Sequence, residues 1–443
     1  MDKLFLFAVF LIPFDNLSFA PSSGWAAVSP YFFFLYALLS LFARRGKVTN
    51  KITTPFIFML VVIMVSCIRF FWYEPEFNLV VRNFVALVLG FSFLLSLSLY
   101  LENYSSQKEL QYRKNNLLNM VFYGYVFSLV YGVVYIVAFK LNVSPVISLY
   151  ELIQSRNYGE RFQFSFTEPS FSSLHLFGIL PFFIMLGVVI GADKFFVNRL
   201  SVLMVLYFFI LLFFLDSARF MLDFVVFFYL LMVFYFLYNK PFLALSVMLI
   251  SFFIVNSVAP AILELLVPGR FDTSGSLLAI INSDASSAAR FFRSSALYYG
   301  VMSDDGVFLW GAGLSNAWHS FHSGFDAAFT NYTNGYLAEI LSARDKNESN
   351  YFNMHLRLIS EFGLFVYLLV LYLLFDKRFW FLYVLILYFY LQFDSFAFYL
   401  VWLYLFIKFY SDRFNPYASC DGNEVKLFFL TKFFYSLVSK VRQ

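Results

Sequence analysis

An arginine and a carboxylate stand just before an apolar run in Arg161-Phe-Gln-Phe-Ser-Phe-Thr-Glu168-Pro169-Ser170. Charges beside hydrocarbon are costly, and chains that keep them there mostly use them. Glu168 in this setting is a candidate functional carboxylate. The arginines are candidate ligands for an anion, because a guanidinium offers a bidentate fork and stays charged. Further arginines stand outside the strongly basic loops: Arg69, Arg82, Arg156, Arg219, Arg270, Arg290, Arg293, Arg344 and Arg357. The four histidines are His175, His319, His322 and His355. His355 sits where a long polar stretch returns to an apolar run, which sets it apart from the other three.

Each of these residues also has a plainer reading. Arg156 and Arg161 have Glu151, Glu160 and Glu168 at hand as ion-pair partners. Arg219 beside Asp216 suits a local pair that pins a tight turn. Arg290 and Arg293, one helical turn apart, suit a solvated helix face. His319 and His322 suit ordinary loop positions, and Arg357 suits a side chain reaching toward headgroups. Trp310-Gly-Ala-Gly313 reads as a turn, since no Lys-Ser/Thr follows it as in a phosphate loop. The sequence has no His-Glu-x-x-His, no paired cysteines and no nucleophile elbow, so no metal site is expected. Cys67 lies in an apolar run and Cys420 in the tail, a placement that does not suggest a disulfide.

The elements that must hold these groups are apolar. Hydrophobic residues make up 61% of the chain and charged ones 13%, about half the charge of a soluble domain. Mean hydropathy is +0.74. The expectation is an all-α polytopic membrane protein, rich in Phe and Tyr on lipid- and interface-facing surfaces. A net charge of +4 carries no nucleic-acid signal.

Runs long enough to span a bilayer, roughly 20 residues each, number about twelve. They fall at 4–20, 27–43, 53–71, 79–100, 117–139, 172–191, 200–215, 219–238, 241–258, 353–375, 379–395 and 396–410. Met1 to Phe19 has no small-residue cleavage site after it and reads as a retained first span. Basic residues recur in alternate loops at Arg44-Arg45-Gly-Lys47, Lys108 with Arg113-Lys114, Lys194 with Arg199, Lys240, and Lys377-Arg378. Positive-inside bias makes those loops cytoplasmic and both termini cytoplasmic.

Residues 1–258 then carry nine spans, with a periplasmic loop at 140–173. A large, mostly helical periplasmic loop occupies 259–352, three more spans occupy 353–410, and a tail covers 411–443. Lys432, Ser436, Ser439 and Lys440 share one face of that tail, as in a helix lying on the inner leaflet among membrane lipids. All four histidines fall on the outer side of this arrangement.

Together these features resemble the Wzy-type O-antigen polymerases of bacterial inner membranes, within the wider O-antigen ligase/polymerase superfamily. Arg161-x6-Glu168-Pro169-Ser170 resembles the family's Arg-x-x-Gly-x-x-x-Glu-Pro-Ser element, with Phe164 where glycine is common. Asp216-Ser-Ala-Arg219 is similar to the superfamily's Ser-Arg turn. Arg290 followed by Gly311-Ala-Gly313 resembles its arginine and glycine turn. Asn353-Met-His355-Leu-Arg-Leu-Ile-Ser-Glu361-Phe-Gly363-Leu364 resembles its re-entry helix. Lipid A-core ligases are expected to carry histidine directly before that asparagine, where this chain has Phe352.

The resemblance implies growth of a glycan on undecaprenyl pyrophosphate at the periplasmic face, without a cofactor. Its implied partners are an undecaprenyl-pyrophosphate-linked oligosaccharide and a chain-length regulator protein. Arg219 and Arg290 would stabilise the leaving group, with Glu168 or His355 activating the acceptor. Arg156, Arg161, Arg293, Asn353, Glu361, His319 and His322 would bind substrate. The rivals are a ligase or capsule/exopolysaccharide polymerase of the same superfamily and, from another class, a twelve-span secondary transporter. The absence of an internal repeat counts against the last.

Overall fold

The computed structural model describes residues 1–19, 27–43, 52–155, 162–214, 217–239, 285–331, 340–341, 344, 351–411 and 433. The described residues form helices and no β-strand beyond one isolated bridge, Leu17 to Gln154. In chain order the helices are α1 (Asp2–Phe10), α2 (Ser29–Ala43), α3 (Thr53–Arg69), α4 (Phe77–Glu102), α5 (Gln107–Lys140), α6 (Ser144–Ile153) and α7 (Phe171–Ile190). They continue with α8 (Lys194–Phe214), α9 (Ala218–Asn239), α10 (Ala285–Ser303), α11 (Asp305–Trp310), α12 (Ala317–Asn331), α13 (Met354–Leu374), α14 (Trp380–Tyr390) and α15 (Tyr399–Tyr410).

Among the described residues six helices are long and apolar enough to cross a membrane: α4, α5, α7, α8, α13 and the Arg219–Leu237 stretch of α9. The chain therefore has the make-up of an α-helical membrane protein. Shorter apolar helices, α2, α3 and α15 among them, pack beside the long ones. The expected span at 241–258 and the amphipathic tail helix lie outside the described residues.

α7 sits at the centre, its apolar window wholly buried. One turn in, it carries a π-helical stretch, Leu174–Ile179, a local widening that recurs at functional sites. The phenylalanine-rich composition serves ring-on-ring packing here. Phe177 of α7 meets Phe208 of α8 and Phe220, Phe224 and Phe227 of α9, with centroids 5.3–6.2 Å apart.

Three expectations come out differently. The first span, expected over 4–20, is helical only to Phe10; the chain then runs non-helically through Pro13 to Leu17. Proline removes a backbone donor and clashes with a preceding helical turn, so the break at Pro13 is local in origin. The expected loop at 140–173 does not stay at the surface. It forms α6, and its end folds inward, so that Gln163, Phe164, Ser165, Phe166 and Thr167 are buried. The last two expected spans are shorter helices, α14 and α15, separated by non-helical chain around Asp394.

Within the expected long loop, α10 and α12 form an antiparallel hairpin with its own small core. That core contains Phe292, Leu297, Phe321 and Phe325. α11 and the following Gly311-Ala-Gly313 turn dock on α13, where α13 is broken at Gly363 (φ +80°). The Ala312 and Gly313 N–H groups donate to the Ser360 and Glu361 carbonyls at 2.8 and 2.7 Å. A Cβ on Gly311 (φ +75°) would strike the Glu361 backbone, and one on Gly363 would strike the Leu309 carbonyl.

Prediction: Gly363→Ala, strained in backbone and blocked in space, destabilises by at least about 1–3 kcal/mol. Thermal unfolding of the detergent-solubilised protein checks this. A melting curve unchanged from wild type would show that the helix break is not needed.

Candidate anion-binding site

The polar groups collect where several helices begin. α7, α9 and α13 all start here, at the ends opposite those followed by Lys194, Lys240 and Lys377. Helix N-termini carry partial positive charge and unpaired N–H groups, which favour an anion.

Arg219 lies in the first turn of α9, after Ser217, whose hydroxyl accepts the Phe220 N–H at 3.3 Å. Its side chain is 9% exposed. Its Nε is 3.7 Å from an Asp223 carboxylate oxygen, one turn along the helix. Its guanidinium carbon sits 4.2 Å from the Phe393 ring centroid. Even so, its Nε and one terminal nitrogen lack a hydrogen-bond partner among the described residues. A buried guanidinium with unspent N–H donors and one face on a ring is suited to accept an anion at its edge.

Asp223 is fully buried and well supplied with donors. The Ser173 hydroxyl of α7 donates to one carboxylate oxygen. The Tyr388 hydroxyl and the Gln392 amide donate to the other, at 2.5 and 3.0 Å. Asp223 therefore ties α9 to α7 and α14 and keeps Arg219 in place.

Glu168 stands at the start of α7. Its carbonyl accepts the Phe171 N–H at 2.9 Å, and its carboxylate accepts the Ser170 hydroxyl at 3.2 Å. Arg290, from α10, approaches the same carboxylate oxygen to 3.7 Å. Glu168 and Arg290 keep about a quarter of their side-chain surface exposed, so the pair borders an accessible space. Both lie within electrostatic reach of Arg219. Arg290 and Arg293 also face the ring of Phe352, at 5.0 and 5.4 Å. Phe352 holds a left-handed backbone (φ +54°), which turns its ring back toward α10.

Three of the four residues assigned catalytic roles from sequence, Glu168, Arg219 and Arg290, thus come together from three separate stretches of chain, and Arg293 joins them. Arg156 and Arg161 lie outside the described residues. His355 has other neighbours. Its Nε2 is 2.9 Å from the Leu387 carbonyl and its Nδ1 is 3.0 Å from the Tyr367 hydroxyl, which engages both ring nitrogens. Asn353 caps α13 by accepting the Leu356 N–H at 3.1 Å.

Glu361 is buried and paired with Arg357 at 2.9 Å, beside the Gly363 break. Arg357 donates in turn to the Asp394 carbonyl, and Asp394 accepts the Tyr351 N–H at 2.8 Å. These contacts hold the chain on either side of Phe352 and Phe393, the two rings beneath the arginines.

His319 stacks on Trp318 with ring centroids 3.6 Å apart and reaches the Glu74 carbonyl at 3.4 Å. Burial there lowers its pKa below the ordinary histidine value, which works against a cation at this position. The ring of His322 lies beside Trp318 and Phe321.

Sequence reasoning did not single out Asp223, Phe352 or Phe393 for the site. Asp223 had a usable signal, as the one carboxylate in the apolar run 218–239, four residues after Arg219. Phe352 was marked only as standing where the ligase pattern has histidine, and Phe393 had no signal, being one phenylalanine among 66. Phe164, standing where the polymerase motif has glycine, has φ +55°, the left-handed conformation glycine adopts without strain. Comparison of the chain with protein-family models, curated proteins and solved structures found no match.

Prediction: Asp223→Ala leaves the Arg219 charge uncompensated and lowers stability by about 3–5 kcal/mol. Arg219→Met leaves the Asp223 carboxylate with three uncharged donors, so it costs less stability than Asp223→Ala. Thermal unfolding of the two variants side by side measures the order, and the reverse order would contradict the arrangement.

Proposed function

We propose that this chain is a membrane glycosyltransferase that joins oligosaccharide units carried on undecaprenyl pyrophosphate. In this reading it is an O-antigen polymerase acting at the periplasmic face of the bacterial inner membrane. The observation that carries the reading is the meeting of Arg219, Arg290 and Glu168 at one end of the bundle, with buried Arg219 donors unspent. The four sequence stretches behind the resemblance also meet in space. Glu-Pro-Ser meets the arginine of α10, and the glycine turn docks on the broken α13.

In the transfer, the acceptor sugar hydroxyl attacks the anomeric carbon of the donor glycan. A new C–O bond forms there as the bond to the pyrophosphate oxygen breaks. The hydroxyl proton passes to a carboxylate, the role proposed here for Glu168. The bond electrons leave with undecaprenyl pyrophosphate, whose charge grows as the bond breaks. Preorganised guanidiniums in a poorly solvated site stabilise that growing charge, and removing one such donor typically costs about 100- to 1000-fold in rate. Arg219 and Arg290 repel one another when the site is empty, and an anion between them relieves that repulsion.

Phe352 favours a polymerase over a lipid A-core ligase. The position where the ligase pattern expects histidine here carries a ring facing two arginines. A transporter would place its ionisable groups near the bilayer midplane, whereas this cluster lies at helix ends.

Prediction: a strain deleted for this chain makes lipid A-core capped with a single repeat unit, and the wild-type gene restores the ladder of long chains. Arg219→Ala and Arg290→Ala, at wild-type protein levels, fail to restore it, and Glu168→Gln fails likewise. Gel analysis of surface lipopolysaccharide reads all of these. Full ladders from both arginine variants would refute the pyrophosphate assignment. Bare core with accumulated lipid-linked polymer would indicate a ligase.

A further inference from the structure

Non-helical backbone inside an apolar bundle is tolerated where protein surrounds it, since its N–H and C=O groups must find partners there. Two such pieces lie side by side here, Pro13–Asn16 and Gln163–Thr167, and Asp15 joins them. Asp15 is fully buried. One carboxylate oxygen accepts the Thr167 N–H at 2.7 Å, and its carbonyl accepts the Thr167 hydroxyl. Its own N–H donates to the Ser165 carbonyl at 3.3 Å. The Ser165 hydroxyl donates to the Pro13 carbonyl at 2.6 Å and pairs with Ser128 of α5.

The second carboxylate oxygen lies 3.4 Å from Nε2 of His175 in the π-helical stretch of α7, and Nδ1 of His175 is 2.8 Å from the Tyr125 hydroxyl. A buried carboxylate and histidine are costly here, and the transfer described above uses neither. What Asp15 grips is the residue immediately before Glu168.

We propose that Asp15, braced by His175, is a positioning residue that fixes the Thr167–Glu168 segment and so aims the Glu168 carboxylate. The catalytic role of Glu168 rests on the function proposed above, but the grip on its segment does not. Asp15→Asn keeps an oxygen for the Thr167 N–H. Its amide can face His175 once that ring carries its proton on Nδ1 and donates to Tyr125. Asp15→Ala removes both contacts.

The grip is tested without reference to activity in the full-length, detergent-solubilised protein carrying Glu168→Cys and Cys420→Ser. Exposed Cys67 on α3 serves as internal reference. Labelling by a water-soluble maleimide is followed at each thiol by peptide mass spectrometry. Adding Asp15→Ala is expected to raise the rate at position 168 about tenfold, the factor given by losing one hydrogen bond of ordinary net strength. The rate at Cys67 holds, and Asp15→Asn leaves both rates near their starting values. An unchanged rate at 168, or loss of the cooperative melting transition in the Asp15→Ala protein, overturns the proposal, the second by showing general loss of fold.

With Glu168 intact, Asp15→Ala is expected to lower kcat about 100-fold, as for a group displaced by about an ångström, with donor KM unchanged. Asp15→Asn is expected to rescue most of that loss. Wild-type turnover by Asp15→Ala overturns the aiming role. Polymerisation by Arg219→Ala would instead refute the function, and the labelling result would stand apart from it.

Discussion

A guanidinium removed from water must be compensated where it stands, and one end of the bundle is arranged around that need at Arg219. Its counter-charge, Asp223, is itself buried and requires donors. Those donors come from α7, α14 and the chain after α14, so neutralising one arginine binds three parts of the bundle together. The compensation stops short of completion. At 3.7 Å the Arg219–Asp223 contact is an ion pair without a hydrogen bond, and donors of Arg219 remain unspent. A site that keeps a buried donor unmet gives up stability that a bound anion can restore.

The backbone shows the same economy. Regular helix satisfies its own polar groups, so each departure from it inside an apolar bundle needs partners. The inward-folded 162–170 segment finds them in Asp15 and Gln154. The break in α13 at Gly363 finds them in the glycine turn after α11. Both departures border the cluster. One places Glu168 and the other locks α11, and through it the α10–α12 hairpin that carries Arg290 and Arg293, against α13.

Much of this was readable beforehand. The apolar runs anticipated α4, α7, α9 and α13 closely, because hydropathy of that length and uniformity leaves few alternatives to a spanning helix. By contrast, α5 and α8 begin earlier, at Gln107 and Lys194, and take in Lys108, Arg113, Lys114 and Arg199, which the sequence suggested were in loops. Glu168, Arg219 and Arg290 stood out because charges at apolar boundaries are rare and each has a cost. Residues with ordinary neighbours in the sequence were harder to place. Asn353 has a capping side chain at a helix start, and Glu361 has Arg357 one turn away. Both local roles were visible in the spacing, although the motif resemblance pointed them toward substrate. His355 met two partners, Leu387 and Tyr367, that no local pattern announces.

The sequence by itself determined that this chain is helical, apolar and charged mainly at the helix ends, since composition and hydropathy act locally and without regard to partners. Tertiary structure decided what those charges do. Glu168 and Arg290 are 122 positions apart in sequence and meet at 3.7 Å. That contact depends on α10 packing against α13 and on Asp15 holding Thr167, neither of which has a local signature. The turning-in of 162–170 was equally invisible. A segment of alternating Phe and polar residues reads as loop or strand until the surrounding helices supply a buried place for it. Hydrophobicity specifies that side chains leave water, whereas their meeting points are set by the packing of helices distant in the chain.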